Sequence, residues 1–479
     1  MRNLLLFLFI LNIYLYAIVT FSKTYGGTGD DIANSIKQTS DGGYIIAGTS
    51  QDSLNGMDYM TLLKTDCEGN EEWNRKIGGE LSKGYSAIET SNCGFVITGY
   101  YNIPTEEMKY SGHMIYVEKT DAMGNTVWKY EQPCQVDEEW FEAYDVIQTQ
   151  DGGYALTGSS YWSGWLLKLD SLGKEEWINK ELGCNEGRQI IQTDDNCYAI
   201  TGSCDMLQHE TWVSFVKVDS LCNYIDVKMY VGLFYYADSY SLKNTPDKGF
   251  IIMGNTQQNA ATNLGWLIKT DEHGEKEWDL LIGEQGSETE SSTGTSVELT
   301  TDGGYILTGY TANLETWYAD VWLIKADSLG NIIWKRTFGG EGDDRAYSVQ
   351  QTSDGGYILA GYTDSFGAGG KDMWIIKTDE NGTEIESPFL PQTAELRQNY
   401  PNPFNPSTEI SYSLKTEGMV TLSVFNTKGE LVRTLVNEKK TAGNHSVNFS
   451  GQGLNSGIYF YKLSVDGKDV QSRKMMMLK

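Results

Sequence analysis

Apolar and polar positions along this chain recur in blocks. Short runs that are apolar at nearly every position, such as Gly43-Tyr44-Ile45-Ile46-Ala47-Gly48 and Tyr59 to Lys64, alternate with runs that are only partly apolar, such as Ser35-Ile36-Lys37-Gln38 and Glu72 to Ile77. Strands covered on both faces give the first pattern, and half-exposed strands give the second. No long stretch carries a helical period, so short strands are predicted nearly throughout.

The blocks repeat. An acidic or Asn turn leads into an aromatic and an apolar run seven times: Asp41-Gly-Gly-Tyr44, Asn92-Cys-Gly-Phe95, Asp151-Gly-Gly-Tyr154, Asp195-Asn-Cys-Tyr198, Asp247-Lys-Gly-Phe250, Asp302-Gly-Gly-Tyr305 and Asp354-Gly-Gly-Tyr357. Six steps separate the first copy from the last, a period of about 52 residues. Asp and Gly at these places accept the positive φ that tight hairpins need. After each turn comes an apolar-apolar-Lys-x-Asp motif, as in Leu62-Leu63-Lys64-Thr-Asp66 and Ile375-Ile376-Lys377-Thr-Asp379. It usually runs on into a Gly and a Trp, as in Gly69 and Trp73 or Gly330 and Trp334. Four short strands per repeat and seven repeats predict an all-β fold, a seven-bladed β-propeller over residues 18–387. The segment Phe21-Ser-Lys-Thr-Tyr25-Gly26-Gly27 matches Trp334-Lys-Arg-Thr-Phe338-Gly339-Gly340 position by position. Residues 20–25 are therefore expected to supply the missing outer strand of the seventh blade.

Both ends of the chain depart from the repeat. Met1-Arg2-Asn3 followed by the apolar run Leu4 to Tyr16 reads as a secretory signal, residues 1–17, cut after Ala17; a short uncleaved anchor is the alternative. From Pro388 the period stops, with a linker over 388–396 and a separate domain over 397–479. Residues 390–479 carry eleven Lys and Arg against seven Asp and Glu, so with the whole chain at −28 the remainder stands at −32. That contrast predicts two domains with different tasks. Six alternating strands between Glu409 and Met477 predict a small immunoglobulin-like sandwich.

The motifs of this last domain are Asn399-Tyr400-Pro401-Asn402-Pro403-Phe404-Asn405-Pro406, Val424-Phe425-Asn426-Thr-Lys-Gly429, Leu454-Asn-Ser-Gly457-Ile458-Tyr459, and a Lys- and Met-rich tail with Lys474 that ends at Lys479. In this order they closely resemble the type A C-terminal sorting domain of the type IX secretion system. The resemblance implies a Gram-negative bacterium of the Bacteroidetes or a related phylum. It further implies Sec export, recognition by the type IX machinery, passage across the outer membrane, and release or tethering at the cell surface.

Function in the repeat region is expected on one face. The turns after the first and third strands of each repeat are short and uniform, whereas the loops after the second strands vary, and these open on the same side as the links between repeats. The aromatics Tyr101, Tyr110, Tyr161, Trp162, Trp212, Trp317, Tyr318 and Phe366 fall there. So do the acids Asp30, Asp31, Glu106, Glu107, Asp137, Glu138, Glu139, Glu288, Glu341, Asp343 and Asp344. Tyr101, Tyr161, Trp162, Trp212, Trp317 and Tyr318 are the candidate ligand contacts, because aromatic faces beside carboxylates suit sugar rings. The reading is a glycan- or protein-binding face; a carbohydrate-active hydrolase or lyase is the alternative.

Catalytic and metal signatures are sparse. The four histidines, His113, His209, His273 and His445, form no His-Glu-x-x-His pair and read as solvent-facing loop residues, and no Gly-x-Ser-x-Gly turn occurs. No catalytic residue, cofactor or metal ligand is assigned. Gly26-Gly27-Thr-Gly29-Asp-Asp31 and Gly339-Gly340-Glu-Gly342-Asp-Asp344 match a calcium-loop pattern. That pattern works as stacked tandem repeats, so they read as link turns, with calcium as the alternative. Seven cysteines without a Cys-x-x-Cys, four of them between Cys184 and Cys222, predict one or two disulfides and at least one unpaired thiol. The acidic repeat region disfavours nucleic acid and anionic lipid.

Overall fold

The computed structural model describes residues 19–102, 112–132, 140–161, 163–206, 210–383, 395–396, 399, 402–414, 418–440 and 443–478. The expected signal segment, Tyr110, Trp162, the acids at 106–107 and 137–139, Cys134, Tyr400, Pro401 and Lys479 lie outside them. The described residues are all-β. The chain divides into two compact units, Met1–Thr383 and Glu384–Lys479.

Among its described residues, the first unit consists of seven four-stranded antiparallel meanders. The first is Asp31–Gln38, Tyr44–Gln51, Asp58–Thr65 and Glu71–Glu80. The third and fourth meanders are joined through the single pair Ser159–Glu186. The seventh takes its outer strand from the chain start: Phe21–Tyr25 pairs with Asp372–Thr378, Phe21 opposite Lys377 and Tyr25 opposite Met373. The first and seventh meanders also meet through hydrogen bonds from Ile36 N to Ser348 Oγ (3.3 Å) and from Gln38 N to Gln350 Oε1 (2.7 Å).

One aromatic contact recurs between successive sheets and explains the Gly and Trp of the repeat. The outer-strand tryptophan of one sheet meets the ring that opens the second strand of the next. The pairs are Trp73–Phe95, Trp128–Tyr154, Trp177–Tyr198, Trp278–Tyr305 and Trp334–Tyr357, with centroids 5.5–6.4 Å apart. Phe21 makes the same contact with Tyr44 at 6.0 Å, carried there by the borrowed strand. In the fourth sheet Asp226 stands at the tryptophan position, and Phe215 of the third strand packs on Phe250 instead, at 4.8 Å. All of these rings except Trp177, where Cys222 with a φ of +66° holds the turn position, also lie under a turn glycine. A Cβ on Gly173, whose φ is +79°, would sit 2.5 Å from the Trp128 ring, so the site needs glycine twice over.

The two repeated motifs hold each other. Asp41 accepts a hydrogen bond from Gly43 N (2.9 Å), which fixes the turn, and pairs with the buried Lys64 ammonium (3.0 Å), which also donates to Thr65 O (2.9 Å). The same ion pair forms at Lys168–Asp151, Lys217–Asp195, Lys269–Asp247, Lys325–Asp302 and Lys377–Asp354, between 2.8 and 3.4 Å. In the second sheet Lys119 donates to Asn92 Oδ1 (2.8 Å). The lysine thus ties the third strand to the turn between the first two, across the middle strand.

First strands are longer than the sequence pattern suggested. The repeat Ser35–Gln38 is only the second half of Asp31–Gln38, because the register slips by one residue between Ala33 and Ser35. A β-bulge at that point breaks the alternation of inward and outward side chains. All seven first strands carry it at the equivalent place.

The second unit pairs Glu395–Leu396, Ser407–Leu414 and Gly443–Ser450 in one sheet. Leu431–Lys440, Gly418–Phe425, Gly457–Val465 and Lys468–Met477 form another. Both contribute to one core that includes Ile410, Tyr412, Phe449, Leu422, Val424, Tyr461 and Met475. The Asn-Pro-Phe motif clips the last strand: Phe404 N donates to Met476 O (2.9 Å), Leu478 N donates to Phe404 O (3.0 Å), and Met476 N donates to Asn402 Oδ1 (2.9 Å). Asn399 N donates to Tyr461 Oη (2.8 Å), and Tyr459 Oη donates to Asn455 O (2.8 Å).

Candidate functional site

The seven bulges aim one side chain each at the same place. The extra residues are Asn34, Tyr85, Tyr144, Arg188, Tyr240, Thr295 and Tyr347, and all seven line a single cavity of about 110 Å3 bounded by the first strands. A bulge rotates a side chain out of the pleat that would otherwise direct it into the packing between sheets. Small polar residues follow each of them, among them Ser35, Ser86, Asp145, Gln189, Ser241, Ser296 and Ser348. The cavity wall is therefore aromatic and hydroxylated.

A charged network continues this ring toward the variable loops. Glu142 accepts hydrogen bonds from Tyr144 Oη (2.9 Å) and Tyr85 Oη (3.3 Å), and its other oxygen lies 2.7 Å from His113 Nδ1. Burial pushes the Glu142 carboxyl up, but the bonds from His113 and Tyr144 outweigh it and hold the group below the usual range. His113 is buried, its ring stacked on Tyr100 at 4.0 Å with Trp140 on its other side at 4.2 Å. Arg188 pairs with Glu186 at 2.7 Å and lies over the Tyr144 ring at 4.2 Å and the Tyr240 ring at 5.6 Å. Its Nε has no partner.

Asp238 accepts from Tyr236 Oη (2.8 Å), Tyr240 Oη and Asn255 Nδ2 (3.2 Å). Burial nevertheless raises its carboxyl above the ordinary value, with the Glu186 carboxylate adding to the effect. Of the residues lining the same cavity, Lys243 pairs with Glu298 (3.0 Å), and Asp145 accepts from Ser86 Oγ (2.8 Å). The Lys243 charge and burial together push the Lys37 ammonium down.

Of the six loop aromatics singled out from the sequence, the five that are described do not converge. Tyr101 is half-buried, its hydroxyl on Glu131 (3.2 Å) and its ring edge-on to Tyr116. Trp212 is half-buried with its indole N–H unpartnered, and Tyr161 is exposed on another sheet. Trp317 and Tyr318 are adjacent and exposed, and Trp317 is held at a φ of +63°, costly for a bulky residue. Phe366 packs on Trp374 at 5.6 Å.

Other expectations need correction. His113 is no solvent-facing loop residue: it opens a third strand and is enclosed by two rings and Glu142. The six described cysteines are free thiols rather than disulfide partners. Asp31 and Asp344 close their link turns by accepting Gly27 N and Gly340 N, each at 2.8 Å. No group of three or more His, Cys, Asp or Glu is arranged to hold an ion among the described residues.

The channel residues escaped the sequence reading. Their signal is an aromatic directly before a small polar residue at one repeat position: Tyr85-Ser86, Tyr144-Asp145, Tyr240-Ser241 and Tyr347-Ser348. It becomes visible only once the repeats are stacked in register.

Comparison with known proteins identifies the tail. Residues 398–478 match the model of the secretion system C-terminal sorting domain. This segment is a type IX secretion sorting domain, and it directs the chain to the cell surface or the extracellular space. No curated protein matches the chain. Among solved structures, a protein of unknown function from Dyadobacter fermentans is similar at 9% identity and a TM-score of 0.45, over 74% of this chain and 97% of that one. A fungal alcohol oxidase of the AA5 family, in complex with copper, is similar at 9% and 0.46, over 96% and 98%. An endo-arabinase from Bacteroides thetaiotaomicron is similar at 10% and 0.34, over 50% and 94%. No helix among the described residues is long and apolar enough to cross a membrane.

Proposed function

We propose that this exported chain is a binding protein whose first unit closes as a seven-bladed β-propeller and takes a glycan at its channel mouth. Residues 1–17 act as the export signal. The second unit, an immunoglobulin-like sandwich, is read by the type IX machinery and takes no part in ligand binding.

The observation that carries the reading is the convergence of seven bulge residues on one cavity, four of them tyrosines. Tyrosine offers a flat apolar face to a sugar ring and a hydroxyl to its substituents. Arg188, Glu142 and Asp238 supply charged donors and acceptors around it. Each is already oriented by protein partners, so a ligand meets a site that needs little ordering on binding.

A second reading, glycan hydrolysis, rests on Asp238. Burial raises its carboxyl above the ordinary value, with the Glu186 carboxylate adding to the effect, and the acid of a glycosidase needs such a raised carboxyl. Screening the purified protein against a polysaccharide panel separates the two. Binding predicts retention without release of reducing ends, and Tyr144→Ala abolishes it. Reducing ends that accumulate with time and vanish in Asp238→Asn favour hydrolysis. If no polysaccharide is retained and none is cut, both readings fail.

A further inference from the structure

The link between the fourth and fifth sheets, Val231-Gly232-Leu233-Phe234-Tyr235-Tyr236, is apolar and aromatic, whereas those at Gly26–Asp31 and Gly339–Asp344 are built of glycines and acids. It runs from the end of an outer strand, Tyr224–Tyr230, to the start of a channel-lining strand, Ala237–Asn244. It therefore crosses the variable face from rim to channel. Phe234, Tyr235 and Tyr236 are 40, 56 and 42% exposed, and a run of exposed aromatics marks a contact surface. The link is fixed in place: Leu233 N donates to Thr256 Oγ1 (2.7 Å), Thr211 N to Tyr235 O (2.8 Å) and Gln257 N to Tyr236 O (2.8 Å). The Phe234 and Tyr235 rings meet edge to face at 4.4 Å.

These rings are continuous with the channel mouth. Tyr236 Oη and Tyr240 Oη both donate to Asp238 Oδ2. Arg188 lies over the Tyr240 ring and, more closely, over the Tyr144 ring. Tyr144 donates to Glu142, and Glu142 holds His113. Trp140, 42% exposed, covers His113 at 4.2 Å. The contacts form one arc over the first strands of the third, fourth and fifth sheets, with exposed aromatics at both ends. The cavity beside it measures about 110 Å3, well below the ~300 Å3 at which pockets begin to enclose ligands. A sugar ring is therefore not engulfed and has to lie across the mouth.

Resting on the binding role proposed for the mouth, we infer that its ligand is the interior of an extended neutral polysaccharide, laid along this arc from Trp140 to Tyr235. Trp140 and the Phe234–Tyr235 pair offer flat faces to sugar rings at the two ends. Between them Arg188 donates, and Glu142, Glu186 and Asp238 accept from the hydroxyls that such a chain presents along its whole length. A protein interface has the reverse order, an apolar centre within a polar rim. Glu142 and Glu186 outnumber Arg188, which Glu186 already pairs at 2.7 Å, so a polyanionic glycan is repelled.

The test is calorimetric titration of the purified full chain with disaccharides and hexasaccharides of glucose, xylose and mannose, and with a uronate hexamer. The hexasaccharide of at least one neutral sugar should bind about 10-fold tighter than its disaccharide, and the uronate should not bind. Trp140→Ala and Tyr235→Ala, one at each end of the arc, should each weaken hexasaccharide binding roughly 3- to 10-fold, the effect of one lost ring contact. Both side chains are substantially exposed, so thermal melting should stay unchanged. A hexasaccharide that binds no tighter than the disaccharide, or that ignores both end variants while Tyr144→Ala abolishes binding, overturns the arc and leaves the channel mouth standing. A uronate hexamer bound as tightly as the neutral one overturns the neutral class. The absence of all saccharide binding at about 10 mM, far above a millimolar Kd, overturns the arc and the mouth together.

Discussion

The lysine–aspartate clamp permits a quantitative test at Lys377 and Asp354. The Lys377 side chain is 1% exposed, and its ammonium reaches both Asp354 oxygens at 3.0 Å and Thr378 O at 2.9 Å. Asp354 also accepts from Gly356 N (3.1 Å) within the turn. Asp354→Ala leaves a buried cation with a single carbonyl, and removing one partner of a buried pair costs about 3–5 kcal/mol. The lower end applies, because the Asp354 side chain is 23% exposed and Thr378 O remains. Asp354→Asn keeps an acceptor in place, as Asn92 does for Lys119 at 2.8 Å, and should cost about 1 kcal/mol. The double variant Asp354→Ala with Lys377→Met removes the stranded charge and should recover most of the loss. Urea midpoints at unchanged slope measure all three. If the double variant is as unstable as Asp354→Ala alone, the uncompensated charge is not what the clamp guards against.

Two further outcomes follow from the same structure. Hydrogen bonds from neighbouring Thr, Lys and backbone groups hold the clamp carboxyls of Asp151, Asp195, Asp247 and Asp302 at about 2, against the upward push of burial. Their folded values lie below the unfolded value of about 3.9, so their contribution is complete above pH ~4 and is lost as pH falls toward 2. Circular dichroism against pH should show this acid loss; the channel carboxyls Asp145 and Asp238, which are raised, oppose it in part. Deleting residues 398–478 should abolish export while the first unit stays folded in the periplasm, which fractionation with limited proteolysis reads directly. Normal export of the truncated chain would contradict the sorting role.

What could be read from the sequence was what is local. Asp41-Gly-Gly-Tyr44 announces its turn because Asp and Gly decide φ within four residues, and the tail motifs identify themselves for the same reason. The borrowed strand was legible because Phe21 to Gly27 copies Trp334 to Gly340. Cross-strand properties were not. The bulge at Tyr144 exists only as a slip of register against Thr157 and Gly158. His113 gains its partner from Glu142, on the neighbouring sheet. Exposure at a variable loop does not by itself bring side chains together: Tyr161 and Trp317 stand on different sheets.

The borrowed strand also sets an order of events. Phe21–Tyr25 leaves the ribosome before any other strand of the first unit. Its partner Asp372–Thr378 arrives last, with Ser22 and Trp374 separated by 352 residues. Until then Phe21 has no strand to pair with and Tyr44 lacks the ring that covers it. Contacts this distant in sequence form late, so the repeats cannot lock before the sorting domain itself begins to emerge. Assembly and address are completed nearly together, and a chain cut short before Asp372 would lack both.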